Sequence, residues 1–192
     1  NMLKKKIAFI IGVTGQDGSY LSALLIKKKY KVFGFTRSLD KKNLLKLSRI
    51  QVLNKIKLVK YDERNSKTIL EKIKKLNPKE IYYFAGQSSV GKSFEHPVET
   101  YSSNVNVLFQ ILDFCKSNAK KTNIYNSCST DCFGDNKKIF CDEETDFNPK
   151  SPYAQSKAFS FWLVKYYREQ FKVKSSNGIL SNHESPLRNN NF

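Results

Sequence analysis

The segment Tyr153-Ala-Gln-Ser-Lys157 places a phenol and an ammonium four residues apart, which on a helix is a single face. A phenol with a pKa near 10 is a poor base at neutral pH. A cation one turn away, joined by the positive ring of an oxidised nicotinamide, would favour the phenolate and make it a proton acceptor. The same spacing arises by chance in a lysine-rich chain, so the pair takes its meaning from its neighbours. Upstream, Ser127-Cys-Ser-Thr-Asp131-Cys-Phe-Gly134 offers a hydroxyl at Ser129 and a carboxylate at Asp131 at one strand end. A hydroxyl, a carboxylate, a phenol and an ammonium around a nicotinamide form a redox acid/base set. Read alone, Asp131 is a loop cap.

Near the start, Gly12-Val13-Thr14-Gly15-Gln16-Asp17-Gly18 follows an apolar run and precedes a helical pattern. Such a turn lets the backbone approach a pyrophosphate, and the helix start adds N–H groups and partial positive charge. Without a ligand it is only a tight turn. The next apolar run ends Phe35-Thr36-Arg37-Ser38. A guanidinium where NAD sites carry a carboxylate favours the 2′-phosphate of NADP; a surface arginine is the alternative. Asp62, after a third apolar run, suits an adenine amine. Within Phe84-Ala85-Gly86-Gln87-Ser88, the small Ala85 and Gly86 let a cofactor lie against the backbone.

The elements that must position these residues alternate strand and helix. Strands are expected over 6–12, 31–36, 56–61, 80–85, 122–127 and 173–180, and helices over 19–29, 43–54, 66–76, 98–118 and 153–171. Ser66 is expected as a helix cap, and Tyr101, Val105, Leu108, Ile111, Leu112 and Cys115 as the inward face of the long helix. Alternating units of this kind build a doubly wound α/β fold of Rossmann type, a parallel sheet with helices on both faces. Its ligands bind at the carboxyl ends of the strands.

The chain has 192 residues, room for one domain and part of another. With 34 Lys plus Arg against 17 Asp plus Glu, its formal charge is +17. That field would suit a polyanion, but the lysines are scattered, including Lys4 to Lys6, and read as a solvated surface. No motif points to nucleic acid. No apolar run approaches a membrane span and no signal segment opens the chain, so a soluble cytoplasmic protein is expected. Cys115, Cys128, Cys132 and Cys141 form no Cys-x-x-Cys pair, and His96 and His183 give no metal spacing. Buried reduced thiols and no metal are expected.

These motifs, in this order, resemble the extended short-chain dehydrogenase/reductases. The chain is more specifically similar to the GDP-mannose 4,6-dehydratase family, through Gly15-Gln-Asp-Gly-Ser-Tyr-Leu21, Ala85-Gly-Gln-Ser-Ser-Val90, Tyr125 to Asp135, Ser151-Pro-Tyr-Ala-Gln-Ser-Lys157 and Asn182-His-Glu-Ser-Pro186. The resemblance implies an internal redox dehydration of GDP-mannose by NADP, giving GDP-4-keto-6-deoxymannose. Tyr153 would take the 4-OH proton, Ser129 would bond the C4 oxygen, Asp131 would remove the C5 proton and Lys157 would hold the ribose and lower the phenol pKa. Gly12 to Gly18, Asp62, Glu63, Phe84 to Ser88, His183 and Arg188 would line the cofactor, with Arg37 at its 2′-phosphate. Ser88, Ser129 and Asn182 would meet the sugar nucleotide. The family forms dimers or tetramers.

Position 131 is Asp where the family has Glu, which leaves the carboxylate about 1 Å short and can cost ~10²-fold. Position 129 is Ser where many relatives have Thr, and position 63 is a charged Glu where an apolar residue is common. The resemblance assigns 1–175 to a cofactor domain and 176–192, including a closing loop at 186–192, to the start of a mostly absent substrate lobe. Whether a fragment or a natural truncation, the chain alone is therefore expected to bind NADP weakly and turn over little or no GDP-mannose. The alternatives are another dehydratase or epimerase of the same superfamily, and a non-catalytic NADP-binding module.

Overall fold

The computed structural model describes residues 5–135 and 140–188. Lys4, and residues 189–192 of the expected closing loop, lie outside them.

Short apolar runs become strands because their side chains are buried on both sides. In β1 (Ile7–Ile11), Phe9 and Ile11 enter one core, and Ala8 and Ile10 enter another. The other strands are β2 (Lys31–Thr36), β3 (Lys57–Lys60), β4 (Glu80–Tyr83), β5 (Asn123–Ser129) and β6 (Ser175–Leu180). They form one sheet in the order β3-β2-β1-β4-β5-β6, and every pairing is parallel.

Helices cross between them. These are α1 (Gln16–Lys27), α2 (Lys41–Arg49), α3 (Lys67–Leu76), α4 (Val90–Glu95), α5 (Pro97–Tyr101), α6 (Val107–Asn118) and α7 (Pro152–Phe171). Leu25 of α1 and Leu47 of α2 pack with Ala8 and Ile10. Ile69 and Ile73 of α3, Leu108 and Leu112 of α6, and Val164 and Tyr167 of α7 pack with Phe9 and Ile11. Helices thus cover both faces, and full burial of each such apolar side chain is worth about 1.5–3 kcal/mol. No helix among the described residues is long and apolar enough to cross a membrane.

Several expected elements shift. The helix expected over 98–118 is interrupted by a π-turn at Ser102–Asn106, and Tyr101 is exposed rather than inward. The separate helix α4 was not foreseen; Ser89 caps it by accepting from Lys92 N. The helix expected over 43–54 ends at Arg49, where Gln51 turns left-handed with φ 57°, and a 3₁₀ turn follows at Leu53–Lys55. Ser66 precedes α3, but its hydroxyl donates to Gln110 Oε1 instead of capping. The sheet also takes in residues 176–180, which pair with β5, so it extends beyond the boundary expected at 175.

Connections from β1 and β4 leave toward opposite faces of the sheet. Where strand order reverses, the loops diverge and open a crevice at the carboxyl edge. The glycine-rich turn and the Phe84–Ser88 loop meet at that edge, with Gly12 close against the backbone of Phe84 and Ala85.

Candidate active site

The turn after β1 is shaped by backbone contact. Gly12 has φ +88°, and a Cβ there would lie 2.7 Å from Ala85 N and 2.8 Å from the Phe84 carbonyl carbon. Gly18 sits inside α1, where a Cβ would lie 2.5 Å from Gly12 O. Gly15 stands at the helix start with no side chain to cap it, so the first N–H groups face outward. Ser19 Oγ holds the turn from behind by donating to Gly15 O at 2.7 Å. Thr14 Oγ1 lies 3.4 Å from Thr36 Oγ1, and Val13 is buried beneath them.

A second layer crosses this turn from the far end of the chain. Gln16 Nε2 donates to His183 O at 3.2 Å, and Gln16 Oε1 accepts from Ser185 Oγ at 2.7 Å. His183 Nε2 lies 2.7 Å from Asp17 Oδ1, and its Nδ1 lies 2.8 Å from Ser181 O. Both oxygens are acceptors, so the pair suits an imidazolium, and the Asp17 bond raises the His183 pKa above its usual value. Arg188 donates to His183 O at 3.1 Å and pairs with Glu184 at 2.8 Å.

At the tips of β2 and β3, Arg37 NH1 lies 2.8 Å from Glu63 Oε2. Asp62 Oδ1 accepts from Arg64 N at 2.9 Å, shaping its own turn. At the tip of β4, Gly86 has φ +129°, and a Cβ there would meet Asn104 Oδ1. The Gln87 side-chain amide donates to Ser89 O and Thr100 Oγ1 and accepts from Ser89 N. Ser88 and Asn182 are exposed.

The acid/base groups gather at β5 and α7. Ser129 ends β5, and its Oγ accepts from Asp131 N at 3.2 Å. Asp131 stands on the 3₁₀ turn Thr130–Phe133. Ser151 starts α7 by accepting from Ala154 N at 3.0 Å, with Pro152 in the first turn. That cap places Tyr153 at the helix start beside Ser129 and Asp131, and all three interact. Burial pushes the Tyr153 phenol up to about 12; a hydrogen bond with Ser129 opposes this, and the Asp131 charge adds to it.

Lys157 is buried one turn on, its Nζ donating to Ser127 O at 2.9 Å and lying 5.9 Å from the Tyr153 ring centre. Burial lowers its pKa. Burial thus disfavours the charged form of both side chains, the phenolate of Tyr153 and the ammonium of Lys157.

Two features went unread in the sequence. Asn104 lies in the π-turn, donating from Nδ2 to Gln87 O and Thr100 O, while its buried Oδ1 has no hydrogen-bond partner among the described residues. Only the π-turn, which spacing does not announce, aims it at Gly86. The other is the Arg37–Glu63 pair: both residues were foreseen at the cofactor, but not in contact with each other. Of the cysteines, Cys115, Cys128 and Cys132 are buried as expected; Cys141 is exposed. Among the described residues no three His, Cys, Asp or Glu side chains are grouped to hold a metal.

A parallel sheet in this order, a glycine turn at its switch point and a Tyr-x-x-x-Lys helix beside β5 define a Rossmann-type α/β protein. Solved structures share that fold: a UDP-glucose 4-epimerase from Brucella ovis in complex with NAD (TM-score 0.77, 21% identity, 90% of this chain and 50% of that one), and a dTDP-glucose 4,6-dehydratase from Streptomyces venezuelae with NAD bound (TM-score 0.76, 19% identity, 89% and 54%). The family model for GDP-mannose 4,6 dehydratase matches residues 9–192, and the chain belongs to that family. A GDP-mannose 4,6 dehydratase of Drosophila melanogaster is 36% identical across 98% of this chain and 50% of its own length. One from Sinorhizobium fredii (strain HH103) is 35% identical across 100% and 56%, and one from Arabidopsis thaliana is 36% identical across 98% and 55%. The chain spans about half the length of the curated relatives it matches.

Proposed function

We propose that this chain supplies the dinucleotide cradle and the acid/base centre of a GDP-mannose 4,6-dehydratase that uses NADP. The observation that carries the reading is the meeting of Ser129, Asp131 and Tyr153 at the carboxyl end of β5. The cradle fits a dinucleotide: added Cβ atoms at Gly12 and Gly18 would collide with backbone, so the turn is kept bare beside a helix start. Arg37 would meet the 2′-phosphate, Asp62 the adenine amine, and Lys157 the nicotinamide ribose.

When bound, the nicotinamide supplies the hydride acceptor and donor that links C4 and C6 of the mannosyl ring. Tyr153 takes the 4-OH proton, and the Ser129 hydroxyl donates to the C4 oxygen as it becomes a ketone. That ketone acidifies C5. The Asp131 carboxylate removes the C5 proton and assists departure of the C6 hydroxyl as water. The balance is GDP-mannose to GDP-4-keto-6-deoxymannose plus water. Burial excludes water from Tyr153 and Lys157, which strengthens their interactions with charge that develops beside them.

We also read the active form as a homo-oligomer. Val98, Tyr101, Phe109, Phe159 and Trp162 are exposed on α5, α6 and α7, an apolar face suited to a second copy.

The test is incubation of a full-length version with NADP⁺ and GDP-mannose deuterated at C4. A 4-keto-6-deoxy product carrying the deuterium at C6, lost in Asp131→Asn, is expected. Inversion at C4 without loss of water, unaffected by Asp131→Asn, would favour the epimerase alternative instead.

A further inference from the structure

The family sequence features leave one charge unexplained: a glutamate at 63, where an apolar side chain is common. The sheet fixes its neighbour. β2 and β3 pair with Phe33 opposite Lys57 and Thr36 opposite Lys60, and Tyr61 N donates to Thr36 O at 3.1 Å. That register carries the chain after Thr36 alongside the chain after Tyr61. Arg37 and Glu63 are thereby set side by side at the strand tips, 2.8 Å apart, with the arginine side chain 55% exposed and the glutamate 26%. Burial raises the Tyr61 phenol most, and both charges reach it as well, Arg37 pulling its pKa down and Glu63 pushing it up.

We propose that Glu63 sets cofactor selectivity by occupying Arg37, so that the β2 tip discriminates only weakly between NADP and NAD. This rests on the dinucleotide reading above. A 2′-phosphate arriving at Arg37 meets a tip whose two charges cancel, rather than a bare guanidinium. A phosphate seated on the free edge of the guanidinium lies within a few ångströms of the Glu63 carboxylate, and repulsion between like charges at that range is worth roughly tenfold in affinity. NAD presents an uncharged 2′-hydroxyl at the same place, and a carboxylate there is its usual acceptor. The single ion pair therefore offers each cofactor a partner: Arg37 for the phosphate and Glu63 for the hydroxyl.

The experiment is calorimetric titration of the 192-residue chain with NADP⁺ and with NAD⁺ at low ionic strength. Wild type is compared with Glu63→Gln, Glu63→Leu and Arg37→Ala. The wild-type dissociation constants are expected to agree within about tenfold, with both Glu63 variants shifting the ratio toward NADP⁺ by roughly tenfold or more, and Arg37→Ala shifting it toward NAD⁺. Glu63→Gln matters most, because it keeps the side chain's size and polarity and removes only its charge. A ratio unchanged to within about twofold in both Glu63 variants overturns the proposal, whatever the affinities. Absence of saturable binding of either dinucleotide to any form overturns the dinucleotide reading itself, and this inference with it.

Discussion

Around β1 and β2 the candidate site is made of backbone: Gly12 and Gly18 clear a space, and a helix start faces it. Around β5 and α7 it is made of side chains whose ionisation is set by burial, with the Tyr153 phenol pushed up to about 12 and the Lys157 amine pushed down. The first region holds a shape; the second holds buried ionisable groups whose charged forms burial disfavours. Substitutions should separate the two, with damage to fold and binding on one side and damage to proton transfer on the other.

The largest separation is expected from Tyr153→Phe. Loss of the proton acceptor should lower kcat by about 10²–10⁴-fold with a much smaller change in KM, measured as turnover of GDP-mannose by a full-length version. An equal loss in both parameters would move Tyr153 from chemistry to substrate binding. Gly12→Ala is the matching test of the other region. With φ +88° and backbone atoms inside 3 Å, the added methyl should destabilise the fold by about 3 kcal/mol, read from the urea midpoint. An unchanged midpoint would mean the turn is soft.

Burial at α7 also makes a pH prediction. Tyr153 keeps its proton to about pH 12 when folded, whereas an unfolded tyrosine loses it near 10. Between those values the native state binds more protons than the unfolded state, so stability falls as pH rises. Tyr153→Phe should flatten part of that fall. Tyr61, Tyr82, Tyr83 and Tyr167, whose phenols are also pushed up by burial, should account for much of the remainder. The smallest effect is at the segment crossing the glycine turn. His183 has a raised pKa because of Asp17, so the stability that their pairing contributes is fully present below pH 6.5 and is lost as pH rises through the folded value. Asp17→Asn should return the His183 pKa toward 6.5, followed through its ring proton resonances.

Much of the backbone region was legible because its signals are local. β2 was expected over the residues it occupies, and Gly12, Gly15 and Gly18 fall between a strand and a helix as the spacing requires. Even so, α1 begins within the motif, at Gln16, because packing against β1 overrides the low helix propensity of Gly18. The helix expected over 153–171 likewise lies within α7. The side-chain region was legible in identity but not in energetics. Nothing in the spacing of Tyr153 and Lys157 says that both are buried, and burial is the largest influence on both pKa values. The apolar positions from Val98 to Cys115 keep a helical period through Ser102–Asn106, which conceals the π-turn and, with it, Asn104. The Arg37–Glu63 pair depends on the register of two strands, which a single sequence does not display.

The central claim is that a nicotinamide dinucleotide lies across the strand tips, with its ring against Tyr153 and its pyrophosphate at the start of α1. A crystal structure of this chain with NADP⁺ tests it most directly. The account predicts the nicotinamide C4 facing the Tyr153, Ser129 and Asp131 side chains, with the pyrophosphate seated over Gly12 to Gly18. A dinucleotide bound elsewhere, or one turned so that its adenine faces Tyr153, would contradict it.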